Sequence, residues 1–221
     1  MTGMDFDTVV RRRRMVRNYD PDRPVPAETV ERLLDYAIRA PSAGFSQGWG
    51  FLVLSAPEDR ERFWAATTPA PEASAPDAAQ PTQPVRPANA WLDGMRRAPL
   101  IIVPHSNRDI YLDRYAAPDK GWTDRDEARW PVPYWHIDAG MASLLMLLGA
   151  VDAGLGACFF GIPPESMATF RAAFGVPEEY TPIGAVTVGY PAPDRRSPSL
   201  RRGRREVDEV VHRGRWRAAA S

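Results

Sequence analysis

Ile137-Asp138-Ala139-Gly140-Met141-Ala142-Ser143-Leu144-Leu145-Met146-Leu147-Leu148-Gly149-Ala150-Val151 is followed by a turn holding Gly154 and Gly156, and then by Ala157-Cys158-Phe159-Phe160. The long run is rich in alanine, leucine and methionine and predicts a helix that is apolar around most of its circumference. Such a helix must be enclosed by other elements. Its length is short for a membrane span, and Asp138, Gly140, Ser143 and Gly149 weaken that reading further. The four residues after the turn predict a buried strand, so a core helix feeds directly into a sheet.

Outward from this unit, Val30, Leu33, Leu34, Ala37 and Ile38 recur at helical spacing and predict a second helix with these residues as its buried stripe. Pro26 suits its first turn, and Pro41 with Gly44 ends it. Met1 to Val10 reads as an irregular lead. Phe51–Leu54 and Pro99–Val103 read as strands, Pro57–Ala66 and Trp91–Arg97 as regular structure between them. Met167, Phe170, Ala173 and Phe174 mark another amphipathic helix, Ile183–Tyr190 a further strand, and Glu206–Val211 a short helix. Residues 108–135 mix charge, aromatics and turn formers, and predict a surface loop with a short helix. Residues 69–87 hold six prolines and five alanines and predict an extended excursion, because proline fixes φ and lacks a donor. Helices separated by three or four strands imply an α+β or layered α/β protein, and residues 1–221 read as one domain.

The chain has 221 residues, 44% of them hydrophobic and 25% charged, enough for a sizeable core without cross-links. The one cysteine, Cys158, excludes an intrachain disulfide and a thiolate zinc cluster; it sits in an apolar run and reads as a small buried hydrophobe. His105, His136 and His212 lack metal-site spacing, so no metal is expected. The start lacks the apolar core of a secretory signal, and a cytoplasmic protein is expected. Net charge is zero but segregated. Residues 1–39 carry eight arginines and seven acids, residues 40–194 eleven basic residues and eighteen acids, residues 195–221 nine arginines and three acids. A neutral total offers no broad field for nucleic acid.

Three segments hold candidate chemistry. Arg11–Arg14 with Arg17 is either a phosphate clamp or a solvated basic face; guanidinium groups suit phosphate because they donate several directed, charge-assisted bonds. Ala40-Pro41-Ser42-Ala43-Gly44-Phe45-Ser46-Gln47 is either a helix–strand loop satisfied internally or one that presents backbone donors to a planar ligand. Tyr111, Tyr115, Trp122, Trp130, Tyr134 and Trp135 are either packing or an aromatic wall over such a ligand. His136 and Asp138 read as a structural or substrate-positioning pair, since no serine or cysteine is placed as nucleophile. Neither a GxGxxG fingerprint nor a P-loop is present.

In combination, the segments resemble the FMN-dependent nitroreductase superfamily. Arg13-Arg14-Met15-Val16-Arg17-Asn18-Tyr19 with Pro24-Val25-Pro26 resembles the family's RRSxRxF and PVP pattern. Ala40–Trp49 resembles its APSxxNxQPW loop, and Leu148–Gly161 its apolar helix, GLG turn and flavin-side strand. The resemblance implies an α+β three-layer sandwich around a mostly antiparallel four- or five-stranded sheet, in an intertwined homodimer with FMN between subunits. It also implies hydride transfer from NAD(P)H through the flavin to a nitroaromatic, quinone or other small planar acceptor.

Carried over residue by residue, Arg13, Arg14, Met15 and Arg17 match the phosphate-side segment. Pro41, Ser42, Ala43, Phe45 and Gln47 match the loop along the ring, and Phe160, Gly161 and Ile162 the segment approaching the flavin from the other subunit. One of Arg202, Arg204 and Arg205 matches a C-terminal phosphate contact. Phe45, Tyr111, Tyr115, Trp122 and Trp130 are the expected substrate pocket, and no protein group is expected to be catalytic, the redox step residing on the flavin. Met15, Phe45 and Gly48 stand where the family commonly has a polar residue, asparagine and proline. The branch that cleaves reduced FMN has an aspartate at the position of Met15. A specialised flavin dehydrogenase, a dehalogenase, a deazaflavin-using reductase and a non-catalytic flavin sensor are the alternatives.

Overall fold

The computed structural model describes residues 3–68, 90–122, 124–194 and 197–216. The proline-rich segment 69–87 lies outside the described residues.

The elements run α1 (Phe6–Arg12), α2 (Ala27–Ile38), β1 (Trp49–Leu54), α3 (Pro57–Thr67), α4 (Ala90–Arg96), β2 (Leu100–Asn107), α5 (Arg108–Ala116), α6 (Tyr134–Asp152), β3 (Gly156–Phe160), α7 (Met167–Phe174), β4 (Tyr180–Pro182), β5 (Ala185–Gly189) and α8 (Val207–Val210). The sheet is open and antiparallel, in the order β1-β2-β5-β3, with β4 pairing the end of β2. Alternation along β2 builds both cores, as period-two side chains must. Leu100 and Ile102 join Leu33, Ala37, Ala142 and Met146 under α2 and α6, whereas Ile101 and Val103 join Phe63, Trp64 and Phe170 under α3 and α7. The result is the expected three-layer α+β sandwich.

Several local expectations are corrected. The irregular lead contains α1, started by Asp5, whose side chain accepts the Thr8 N–H at 2.9 Å. Only Val9 of that helix is buried, so no apolar stripe announces it. Ile38 is 51% exposed because the face carrying Leu33 and Ala37 turns toward α6 and leaves it outside. The short helix expected within 108–135 is the nine-residue α5, capped by Asn107, whereas α6 starts three residues early, at Tyr134. The three-residue β4 carries no apolar run that would reveal it. At 19 residues α6 meets the length and composition of a membrane span. It nevertheless buries Asp138, Ser143 and Met146, and packs Met146 in one core with Leu33 of α2 and Ile102 of the sheet, as a core helix does.

Close approach of α6 depends on Gly149, where a Cβ would lie 2.6 Å from Tyr36 and 2.9 Å from Leu33 of α2. The helix is about 28 Å long. Its first turns receive the 42–47 loop, through a bond from Ala43 to Asp138. Its last turn receives the N-terminus, through Met4 N–H to Asp152 at 2.7 Å. β3 then returns antiparallel beneath it.

Candidate functional site

Most of the candidate residues fall into two clusters at opposite ends of α6. At its N-terminal end, the chain leaving α2 makes a tight loop at Ser42–Gln47. Phe45 N–H reaches the Ser42 carbonyl at 2.9 Å, and Gln47 N–H reaches the Ser42 hydroxyl at 3.1 Å. Gly44, Phe45 and Gln47 have φ of 61°, 55° and 53°. Glycine takes this left-handed region freely, while the two L-residues are uphill by roughly 1–2 kcal/mol each. Outside groups hold the loop there. The Asp138 carboxylate accepts the Ala43 N–H at 3.1 Å, and the Arg114 Nε donates to the Gly44 carbonyl at 2.8 Å. The Gly48 carbonyl accepts the Asn107 N–H at 2.7 Å. Phe45 is left 76% exposed. Gly44 N–H makes no hydrogen bond among the described residues.

Burial raises the Asp138 carboxyl above its ordinary range, opposed by the Ala43 N–H. His136 does not pair with Asp138. Its Nδ1 lies 2.7 Å from the Ser106 hydroxyl, and burial pushes its imidazole down. The two therefore serve different neighbours, which rules out a dyad.

The aromatic residues converge beside this loop. Tyr111 and Tyr115 stack at 5.1 Å, Tyr115 meets Trp130 edge-on at 4.5 Å, and Trp122 lies 5.2 Å from Trp130. Tyr111 is fully buried and packs behind the others. Tyr115 abuts the loop, with ring atoms 3.0–3.1 Å from where a Gly44 Cβ would stand. Arg–carboxylate pairs join this segment to α5: Arg108–Glu127, Arg114–Asp119, Arg125–Asp109 and Arg125–Asp113.

At the other end of α6, residues 15–20 run between β3 and the segment after β5. Met15 bridges Ala157, and Val16 N–H reaches the Ala157 carbonyl at 3.0 Å. Tyr19, fully buried, pins the segment by donating its hydroxyl to the Val16 carbonyl at 2.7 Å. Asp194, its side chain 4% exposed, takes Arg14 Nη1 and the Arg17 N–H at 3.0 Å each. The Arg17 guanidinium lies 5.1 Å from the Trp91 ring centroid. Among the described residues no carboxylate pairs with Arg13 or Arg17. Met15 is not idle: its sulfur accepts the Phe159 N–H at 3.5 Å.

At the end of β3 the side chains turn inward. Phe160 stacks on Trp64 at 5.7 Å and Ile162 packs in the same core, so only the Gly161 backbone is open, with nothing within 4 Å of a Cβ there. Arg202, Arg204 and Arg205 are exposed, and Arg205 pairs with Glu209. No hydrogen bond or ion pair joins them to either cluster among the described residues. Cys158 is buried, with its thiol pushed up by burial. No grouping of three His, Cys, Asp or Glu suited to a metal occurs among the described residues.

Arg114, Asp119 and Asp194 escaped the sequence reading. The Arg114–Asp119 spacing of five matches no helical pair, and Asp194 acts across 180 residues on Arg14.

The Nitroreductase family profile matches residues 10–190. A Methanothermobacter thermautotrophicus protein described as an NADH dehydrogenase/NAD(P)H nitroreductase is 28% identical over 194 residues, covering 87% of this chain and 80% of that one. The 5,6-dimethylbenzimidazole synthase of Rhodospirillum rubrum is 30% identical over 201 residues, covering 89% and 87%. Among solved structures, a nitroreductase family protein from Clostridium difficile superposes with a TM-score of 0.66 at 22% identity, covering 96% of this chain and all of that one.

Proposed function

With membership of the nitroreductase family as the premise, since the chain belongs to it by a match over residues 10–190, we propose that this oxidoreductase holds FMN between two copies of itself. It uses NAD(P)H to reduce a small conjugated acceptor, a nitroaromatic or a quinone. The observation that carries this reading is the split of the site. Arg13 and Arg17, without a carboxylate partner among the described residues, stand on a pinned segment at one end of a helix about 28 Å long. At the other stands a tightly held loop whose Gly44 N–H has no partner among those residues. One mononucleotide does not bridge that length in a single chain, but the loop of one protomer and the arginines of its partner can share it.

The residues fit the cofactor. Arg13 and Arg17 supply phosphate donors, and the Gly44 N–H is an unspent donor beside Pro41, Ala43 and Phe45, which offer an apolar surface to a ring. FMN, when bound, supplies the hydride-accepting and hydride-donating chemistry. The chain's part is to neutralise the phosphate, orient the ring and restrict access to it. A second copy has a surface to meet: Ile137 and Leu144 on α6, with Ile38 and Phe6, are 44–74% exposed, beside a groove of about 410 Å³ lined by Met4, Val9, Tyr36 and Leu148.

The test is reconstitution. Protein loaded with FMN is expected to bleach on anaerobic NADH or NADPH addition and recover colour with a quinone or nitroaromatic. Verified loading without bleaching by either nucleotide would refute the reading. A second reading, a specialised reaction on an aromatic substrate with the same flavin, is favoured by the aromatic cluster against the loop. It predicts bleaching but slow turnover with simple quinones.

A further inference from the structure

The grip on the 42–47 loop is more elaborate than a connection between a helix and a strand requires. Arg114, in the last turn of α5, donates Nε to the Gly44 carbonyl at 2.8 Å. It turns its other two nitrogens onto both oxygens of Asp119, at 2.8 and 2.7 Å. The bidentate pair fixes the guanidinium plane, so the third donor is aimed rather than merely available. Next in sequence, Tyr115 lays its ring against Gly44. On the opposite flank Asp138 holds the Ala43 N–H. Two peptide groups, Ser42–Ala43 and Gly44–Phe45, are thus held by opposite charges from two helices, where the backbone enters the left-handed conformations of Gly44, Phe45 and Gln47. A strained backbone persists only when its surroundings over-determine it, and such strain gathers where a loop must meet a ligand in one shape.

We propose that Arg114 is a positioning residue: by holding the Gly44 carbonyl it sets the conformation in which the loop presents Pro41, Ala43 and Phe45, and through that sets the grip on the flavin ring. The inference rests on the FMN reading above for its ligand, but the clamp itself is a property of the chain. Arg114 needs no contact with the cofactor. Because the same side chain is tied to Asp119 and its neighbour Tyr115 to the aromatic segment, movement of that segment is transmitted to the loop.

The experiment compares wild type with Arg114→Ala, Arg114→Lys and Asp119→Asn in the full chain. It reads FMN affinity by fluorescence titration, visible circular dichroism of bound flavin, and amide exchange of the peptide covering residues 40–49 without FMN. Arg114→Ala is expected to weaken FMN binding about tenfold or more, as loss of a charge-assisted hydrogen bond does. It is also expected to alter the dichroism and speed exchange in that peptide. Arg114→Lys keeps the charge without the fork and is expected to fall between, and Asp119→Asn to shift the same way by less. Unchanged affinity and exchange would overturn the proposal. Weaker binding with unchanged exchange would overturn it too, since Arg114 would then be a direct ligand contact. If Arg114→Ala fails to fold, Arg114→Lys and Asp119→Asn decide by the same criteria. If wild type binds no FMN, the functional reading falls, and the exchange data alone decide the clamp.

Discussion

The carboxylate of Asp138 and the backbone N–H of Ala43 meet at 3.1 Å across 95 residues of sequence, joining the first turns of α6 to the loop between α2 and β1. Asp138 has 3% of its surface exposed, and burial outweighs this one bond in raising its carboxyl. The folded state therefore takes the proton more readily than the unfolded chain, whose value is near 3.8. Its contribution to stability is full below that value and is lost as pH rises through the raised one. The stability of wild type minus that of Asp138→Asn is expected to fall as pH rises above about 4, measured by urea unfolding. A flat difference would contradict it. Asp35, Asp119 and Asp124, held low by arginines, slope the other way but cancel in the difference.

His105 gives the opposite sign. Burial against Phe170, their rings 6.1 Å apart, pushes its imidazole down to about 4 from 6.5. Stability from the neutral ring is present above 6.5 and lost as pH falls toward 4, a change of about 3 kcal/mol. Denaturant unfolding of His105→Phe, which keeps a ring but removes the titration, is expected to lack this loss.

At Gly48 a Cβ would lie 2.7 Å from the Asn107 carbonyl oxygen, a backbone atom that cannot swing aside. Gly48→Pro and Gly48→Ala are each expected to cost about 1–3 kcal/mol in chemical unfolding. Gly161→Ala, with open space around it, is expected to stay within about 0.5 kcal/mol of wild type.

Arg13 and Arg14 are adjacent but differently employed, because Asp194 occupies Arg14. Arg13→Gln is expected to weaken FMN binding about tenfold and flatten its salt dependence. Arg14→Gln is expected to show mainly as a lower melting temperature, since it leaves a buried carboxylate without its cation. Equal effects of the two on FMN titration would refute the distinction.

Leu144, 48% exposed in the middle of α6, tests the shared site. Leu144→Glu is expected to shift sedimentation from dimer to monomer and to release FMN in the same concentration range. A monomeric wild type that retains FMN would overturn the two-copy arrangement.

Much of the architecture was legible from local pattern. The α6–turn–β3 unit, α2, α3, α7 and the cores of β1, β2 and β5 follow from hydrophobic period and from glycine and proline positions, which act over a few residues. What escaped had no such period: α1 buries one side chain, and β4 exists because β2 extends far enough to pair it. At the site, the loop and the basic segment stood out as motifs, but their partners did not. His136 and Asp138, neighbours in sequence, point to Ser106 and Ala43 respectively.

Sequence alone therefore determined most of the helical and extended segments, and which segments carry arginine or a glycine turn, because those properties are settled by each residue and its near neighbours. Only the tertiary structure decided that the arginines and the loop lie at opposite ends of α6, that Asp194 claims Arg14 while no carboxylate among the described residues pairs with Arg13, and that Arg114 reaches Gly44. Those outcomes depend on the direction in which packed elements run, and that is a property of the whole core.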